Sequence, residues 1–159
     1  MKNPWLCQGS LFLVFLLFTG CGGPKRPDGL PQLYPCSILV LQGDKPLEKA
    51  QITLIQQDND GTRWIVGGIT GENGEVDVAT YGQYPGAPLG EYKVTVTKNE
   101  QIMVAPSSAM GPGKFDTYTL VETEFTREDT TPLTLHVVKG TKKYQVEVGK
   151  PVRERTVSM

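Results

Sequence analysis

Glu91-Tyr92-Lys93-Val94-Thr95-Val96-Thr97 is a run in which every second side chain is apolar. Side chains spaced by two share one face of a strand, so Tyr92, Val94 and Val96 predict a buried face and Lys93, Thr95 and Thr97 a wetter one. The same period recurs outward from this run. Downstream, Leu133, Leu135 and Val137 alternate with Thr134 and His136, and Tyr144, Val146 and Val148 alternate with Gln145 and Glu147. Upstream, Val76 and Val78 read as inward, Ile52 and Leu54 share a face away from Thr53, and residues 37–42 form a nearly continuous apolar strand. A further strand over 63–70 carries Trp64, with Gly67-Gly68 marking a bulge or a close backbone approach. Between the runs stand turn residues: Gly43-Asp44-Lys45-Pro46, Asp58-Asn59-Asp60-Gly61, and Glu72-Asn73-Gly74-Glu75, whose Asn-Gly pair is a hairpin signal. The expectation is all-β: about seven strands, each with one apolar face, in two sheets packed ~10 Å apart as a single β-sandwich.

Two stretches break the rhythm. Residues 81–90 hold two prolines and three glycines and read as a loop. Residues 99–131 form a connection longer than the ~12–15 residues usual without structure of its own. Within it, residues 115–125 look more ordered and add a short strand or a helical turn. Tyr81, Tyr84, Phe115 and Tyr118 lie in or beside these two stretches. If the loops meet at one end of the sandwich, the four rings make a contact patch for protein or sugar; otherwise they cover the end of the core.

The N-terminus has a different character. Lys2 is followed by the apolar run Leu11-Phe12-Leu13-Val14-Phe15-Leu16-Leu17-Phe18, shorter than the ~20 residues of a membrane-crossing helix and typical of a signal peptide over residues 1–20. It ends Phe18-Thr19-Gly20-Cys21, which resembles the lipobox of bacterial lipoproteins. That resemblance implies cleavage before Cys21, lipid on its thiol, and anchoring of an exported chain to a membrane of the cell envelope. Gly22 in place of an aspartate after the cysteine leans, by the same resemblance, toward the outer membrane of a diderm. Residues 21–35 are rich in Gly, Pro and charge and read as a flexible tether. With Cys7 in the signal and Cys21 lipidated, Cys36 is left alone, so the mature chain has no internal disulfide. Beginning an apolar run, it reads as a small buried hydrophobe.

Composition narrows the function. The 159 residues carry 16 basic and 17 acidic side chains, so no strong field favours nucleic acid. A single histidine, His136, sits on an expected solvent face. Ser107-Ser108 has no nearby base. Asp58-Asn59-Asp60-Gly61 lacks the spaced ligands of a calcium loop and reads as a turn. Glu122, Glu124, Glu128 and Asp129 beside Arg127 read as a solvated acidic loop. No catalytic residue, metal site or cofactor is expected.

Residues 43–52, Thr70-Gly71-Glu72-Asn73-Gly74-Glu75-Val76, and Gly86-Ala87-Pro88-Leu89-Gly90-Glu91-Tyr92-Lys93-Val94-Thr95-Val96 together resemble the carboxypeptidase regulatory-like domain, an Ig-like, transthyretin-like sandwich. The resemblance spans about residues 36–98 and places the domain at 36–150, with 151–159 as a C-terminal tail. It implies a non-catalytic structural or protein-interaction module facing an envelope protein; a carbohydrate-binding module using the loop aromatics is the alternative.

Overall fold

The computed structural model describes residues 26–57, 64–106 and 113–156. The signal peptide, Cys21, the Asp58–Gly61 turn, Arg63 and Ser107-Ser108 lie outside the described residues. In chain order the strands are β1 (Ser37–Gln42), β2 (Lys45–Pro46), β3 (Gln51–Gln56), β4 (Val66–Ile69), β5 (Glu75–Asp77), β6 (Ala79–Thr80) and β7 (Tyr84–Pro85). They continue as β8 (Gly90–Thr97), β9 (Asn99–Ala105), β10 (Lys114–Thr119), β11 (Thr134–Val137), β12 (Lys143–Glu147) and β13 (Glu154–Arg155), with a 3₁₀ turn at Thr123–Thr126.

The protein is an all-β sandwich. One layer is a six-stranded sheet in the order β11-β8-β3-β4-β6-β7, and the facing layer centres on β1, with β12 parallel on one side and β2 and β5 antiparallel on the other. The run that begins the sequence argument is β8, and Tyr92, Val94 and Val96 are at most 1% exposed. They meet Ile52 and Leu54 of β3, Val66, Leu135 and Val137 from the same sheet, and Ile38, Val40, Val76, Val146 and Val148 from the facing one, in a single core. Burying each such side chain contributes roughly 1.5–3 kcal/mol, which is how alternation in sequence becomes two sheets in space. Cys36 joins this core at 3% exposure.

Turn residues do what their chemistry allows. Gly43 and Asp44 both have positive φ, 55° and 62°. That makes them the two-residue turn of the β1–β2 hairpin. Thr70 is buried; its hydroxyl donates to Leu47 O at 2.6 Å and accepts from Ala50 N at 2.8 Å, fixing the turn into β3. Asn73-Gly74 makes a tight turn, with Gly74 at φ +73°, but it does not close a hairpin. The chain leaves β4 in the six-stranded sheet and enters β5 on β1, so the turn carries it from one sheet to the other.

Five other expectations change. Residues 99–131 are not one loop: β9 and β10 pair along their length as a ribbon that forms, with β13, a third sheet of three strands. The ribbon was hidden because no residue from Asn99 to Ala105 is buried, so it has no inward face to impose a period. The C-terminal tail is not free of structure, since β13 pairs with β10. The tether is shorter than residues 21–35: Leu30 is 8% exposed, and Tyr34 exchanges backbone hydrogen bonds with Ala87 at 2.8 and 3.0 Å. The strand expected over 63–70 occupies only Val66–Ile69, and the 81–90 loop includes the short pairing of β7 with β6.

Candidate functional site

Ile65 and Ile69, on the outward side of β4, are the most exposed large apolar side chains among the described residues. Outward positions are polar on β8 (Lys93, Thr95), β11 (Thr134, His136), β5 (Glu75, Asp77) and β12 (Gln145, Glu147), whereas β1 turns Leu39 and Leu41 outward and β3 Ile55, all three half-buried. On β4, Val66 points inward and is fully buried, while Ile65, just before it, and Ile69 are 65% and 68% exposed. Gly67 lies between them on the same side. Its backbone packs so closely on Ile52 that a β-carbon would collide with the Ile52 carbonyl. The next glycine, Gly68, faces Val76, whose Cγ2 would lie 2.6 Å from an added β-carbon. The two glycines thus let β4 lie tightly against the core and leave a dip between two exposed isoleucines.

That dip is a groove of about 280 Å³ lined by Gln51, Thr53, Ile65, Gly67, Ile69 and Ala79 among others. Tyr81 extends it. Its backbone N–H donates to Ile65 O at 2.7 Å, and its ring meets Trp64 edge to face at 5.8 Å and 77°. Trp64 is half-buried against the core, so Tyr81, itself 40% exposed, is held by a fixed neighbour. The result is a shallow apolar shelf of Ile65, Ile69 and Tyr81 around the groove.

The four aromatics expected to form one patch do not converge on one element. Tyr81 and Tyr84 sit around β6 and β7 in the six-stranded sheet; Phe115 and Tyr118 sit on β10 in the three-stranded one. Three residues apart on one strand, Phe115 and Tyr118 face opposite sides of the ribbon. Phe115 is 51% exposed and pairs across the ribbon with Met103, 56% exposed. Tyr118 lies under the Arg153 guanidinium, 4.7 Å from the ring centroid. A stacking platform for sugar needs its rings on one face. The signal for the shelf is in Ile65 and Ile69, and it is Val66, taking the inward place, that turns both outward.

A second, polar groove of about 410 Å³ lies where the ribbon leaves the sandwich, lined by Thr97, Asn99, Thr117, Thr119, Thr123 and Thr126 among others. The acidic stretch beside it is largely used internally. Glu122 Oε1 accepts from Lys150 N at 3.1 Å. Arg127 donates to both carboxylate oxygens of Asp129, at 3.0 and 2.8 Å, and this hydrogen bonding holds the Asp129 carboxyl below the usual range. Lys93 Nζ donates to Glu128 O at 3.0 Å. His136 is exposed on β11 opposite Glu91. Burial, then the nearby Asp77 carboxylate, pushes the Cys36 thiol up to about 11, so it is protonated at neutral pH and a poor nucleophile. Burial likewise raises the Tyr92 phenol, which donates to Pro88 O at 2.9 Å. Among the described residues no three His, Cys, Asp or Glu side chains converge as a metal site.

No protein-family model matches the chain, and no curated protein matches it. Comparison with solved structures finds a 9R-lipoxygenase from Cyanothece PCC8801, at 14% identity and a TM-score of 0.35, over 78% of this chain and 17% of that one. A likeness at that level carries no argument about function.

Proposed function

We propose that the protein is a non-catalytic lipoprotein of the cell envelope, anchored through lipid on Cys21, whose sandwich docks another envelope protein on the β4 shelf. The observation that carries the docking reading is the exposure of Ile65 and Ile69, greater than that of any other large apolar side chain among the described residues, on either side of a glycine-floored groove. Two such side chains in water forgo roughly 1.5–3 kcal/mol each, and a partner that covers them recovers it. The anchor rests on the resemblance of Phe18-Thr19-Gly20-Cys21 to a lipobox, and the module reading on the resemblance of residues 36–98 to carboxypeptidase regulatory-like domains.

The two halves have separate tests. Cys21→Ser removes the thiol that would carry lipid; the expected outcome is loss of acyl mass and of membrane partitioning, and an unchanged processed mass and partition would refute the anchor. For docking, a photocrosslinker at Thr53 in cells is expected to capture one reproducible envelope protein. That adduct should vanish when Ile65→Ser and Ile69→Ser are combined. An adduct indifferent to those changes would show that the shelf does not carry the contact.

A further inference from the structure

We infer that β12 is a self-association edge: two copies of this chain join their β12 strands antiparallel about a two-fold axis at Gln145, so that one sheet runs through both sandwiches. This goes beyond the shelf and does not depend on it, because β12 belongs to the β1 layer and β4 to the six-stranded one.

The backbone sets the direction of pairing. β12 is an outer strand of its sheet and runs parallel to β1, with Ile38 opposite Tyr144 and Val40 opposite Val146. Ser37 N donates to Lys142 O at 2.7 Å and Val148 N to Leu41 O at 2.9 Å, so Lys142, Tyr144, Val146 and Val148 turn their backbone groups to β1. Neighbouring residues of a strand point these groups to opposite sides. Lys143, Gln145 and Glu147 therefore aim their N–H and C=O groups away from β1. All three residues are exposed, and among the described residues nothing takes those groups. A row of unpaired backbone groups is a template for another strand. The other outer strands of the two layers, β2, β5, β7 and β11, are only two to four residues long.

The side chains set the occupant. On the outward face β12 reads Lys143, Gln145, Glu147, a cation and an anion placed symmetrically about a neutral amide. Antiparallel pairing of the free backbone groups puts Gln145 opposite the partner's Gln145 and Lys143 opposite the partner's Glu147, twice by symmetry. Opposite charges directly across a strand pair attract, and like charges repel. A slip of two residues in either direction removes both attractions, so the charges fix the register as well. Neither charge is committed within its own chain. Glu147 makes no ion pair among the described residues, and Lys143 reaches only Glu75, at 3.6 Å, with its side chain 81% exposed. On the inner side the half-buried Tyr144 comes opposite the partner's Val146, which continues the apolar seam. Charged side chains on an edge strand ordinarily deter pairing. Here they deter strands of other charge pattern and admit this chain's own.

Sedimentation velocity of the full chain in mild detergent tests this. The unaltered chain should be a dimer that dissociates on dilution. Lys143→Glu and Glu147→Lys each turn both attractions into repulsions and should weaken the dimer about tenfold or more. Mixing the two variants sets Glu against Lys at both places, and the mixture should recover the dimer. A monomeric unaltered chain, a dimer indifferent to either reversal, or a mixture no tighter than its components overturns the inference, provided circular dichroism shows the fold intact. Should a variant not fold, dilution of the unaltered chain must speed amide exchange at Lys143, Gln145 and Glu147; rates independent of concentration overturn it equally.

Discussion

Replacing Gly74 by Ala should destabilise the sandwich far more than the same change at Gly82, although both glycines hold left-handed backbone. Gly74 has φ +73° and Gly82 φ +66°. The strain of placing a β-carbon there, roughly 1–2 kcal/mol, is therefore common to both, and is partly offset by ~0.4–1 kcal/mol from a stiffer unfolded chain. Space separates them. An added β-carbon at Gly82 meets nothing within 4 Å, whereas at Gly74 it lies 2.9 Å from Pro46 Cβ, 2.9 Å from Val40 O and 3.0 Å from Leu47 N. Neither backbone atom can yield cheaply. Val40 O accepts the Leu47 amide at 2.9 Å, and Val40 N donates to Gly74 O at 2.9 Å, so a shift here strains the pairing of β1 with the turn and with β2. Overcrowding of this kind costs ~1–3 kcal/mol beyond the conformational strain. Gly82→Ala should thus lose about 1 kcal/mol or less and Gly74→Ala about 2–4 kcal/mol. In urea unfolding followed by circular dichroism, the larger loss moves the midpoint down by roughly 1–2 M at a typical slope, with the slope unchanged. Equal midpoints for the two variants would refute the reasoning, because they would show that contact with β1 and Pro46 adds nothing to the backbone term.

Thr70→Val keeps the shape of a buried side chain but orphans both Leu47 O and Ala50 N; each was satisfied, so the expected loss is about 2–4 kcal/mol, and a loss within ~0.5 kcal/mol by the same urea assay would show that water replaces the hydroxyl. Cys36 gives the stability a pH dependence. Its pKa is raised from 9.0 unfolded to about 11 folded, so the folded state holds the proton more tightly. Stability is then flat below about pH 9 and falls between about 9 and 11 by roughly 2–3 kcal/mol. Cys36→Ala should lose that part of the slope in urea midpoints measured at stepped pH, and a slope unchanged by the substitution would assign it to other groups. Ile69→Ser should change stability by no more than ~0.5 kcal/mol, as surface changes do, while abolishing partner capture at the shelf; a thermal or urea loss above ~2 kcal/mol would mean that Ile69 supports the fold instead.

What the sequence made legible was whatever has an inside and an outside. β8, β3 and β11 alternate because one face of each is sealed by the core, and the inward set Tyr92, Val94, Val96, Ile52, Leu54, Leu135 and Val137 is buried in the structure. Where a strand has no sealed face, nothing enforces the period. Asn99–Ala105 runs Glu-Gln-Ile-Met-Val through positions that all remain exposed or half-buried, so the ribbon looked like a long connection. Arg153-Glu154-Arg155 has no apolar position at all, and its pairing with β10 rests on charge and an aromatic ring, which no hydrophobic pattern can announce. The shelf failed to show for the opposite reason. Ile65-Val66-Gly67-Gly68-Ile69 is apolar on both faces, and a strand apolar on both faces reads as one buried on both. Only the placement of Val66 in the core, with Gly67 backed against Ile52, turns the isoleucines outward. An apolar side chain left outward and one sealed in a core are the same residue types, so composition alone does not separate them. Sequence periodicity therefore locates the sandwich and is silent about the ribbon and about which side of β4 faces outward.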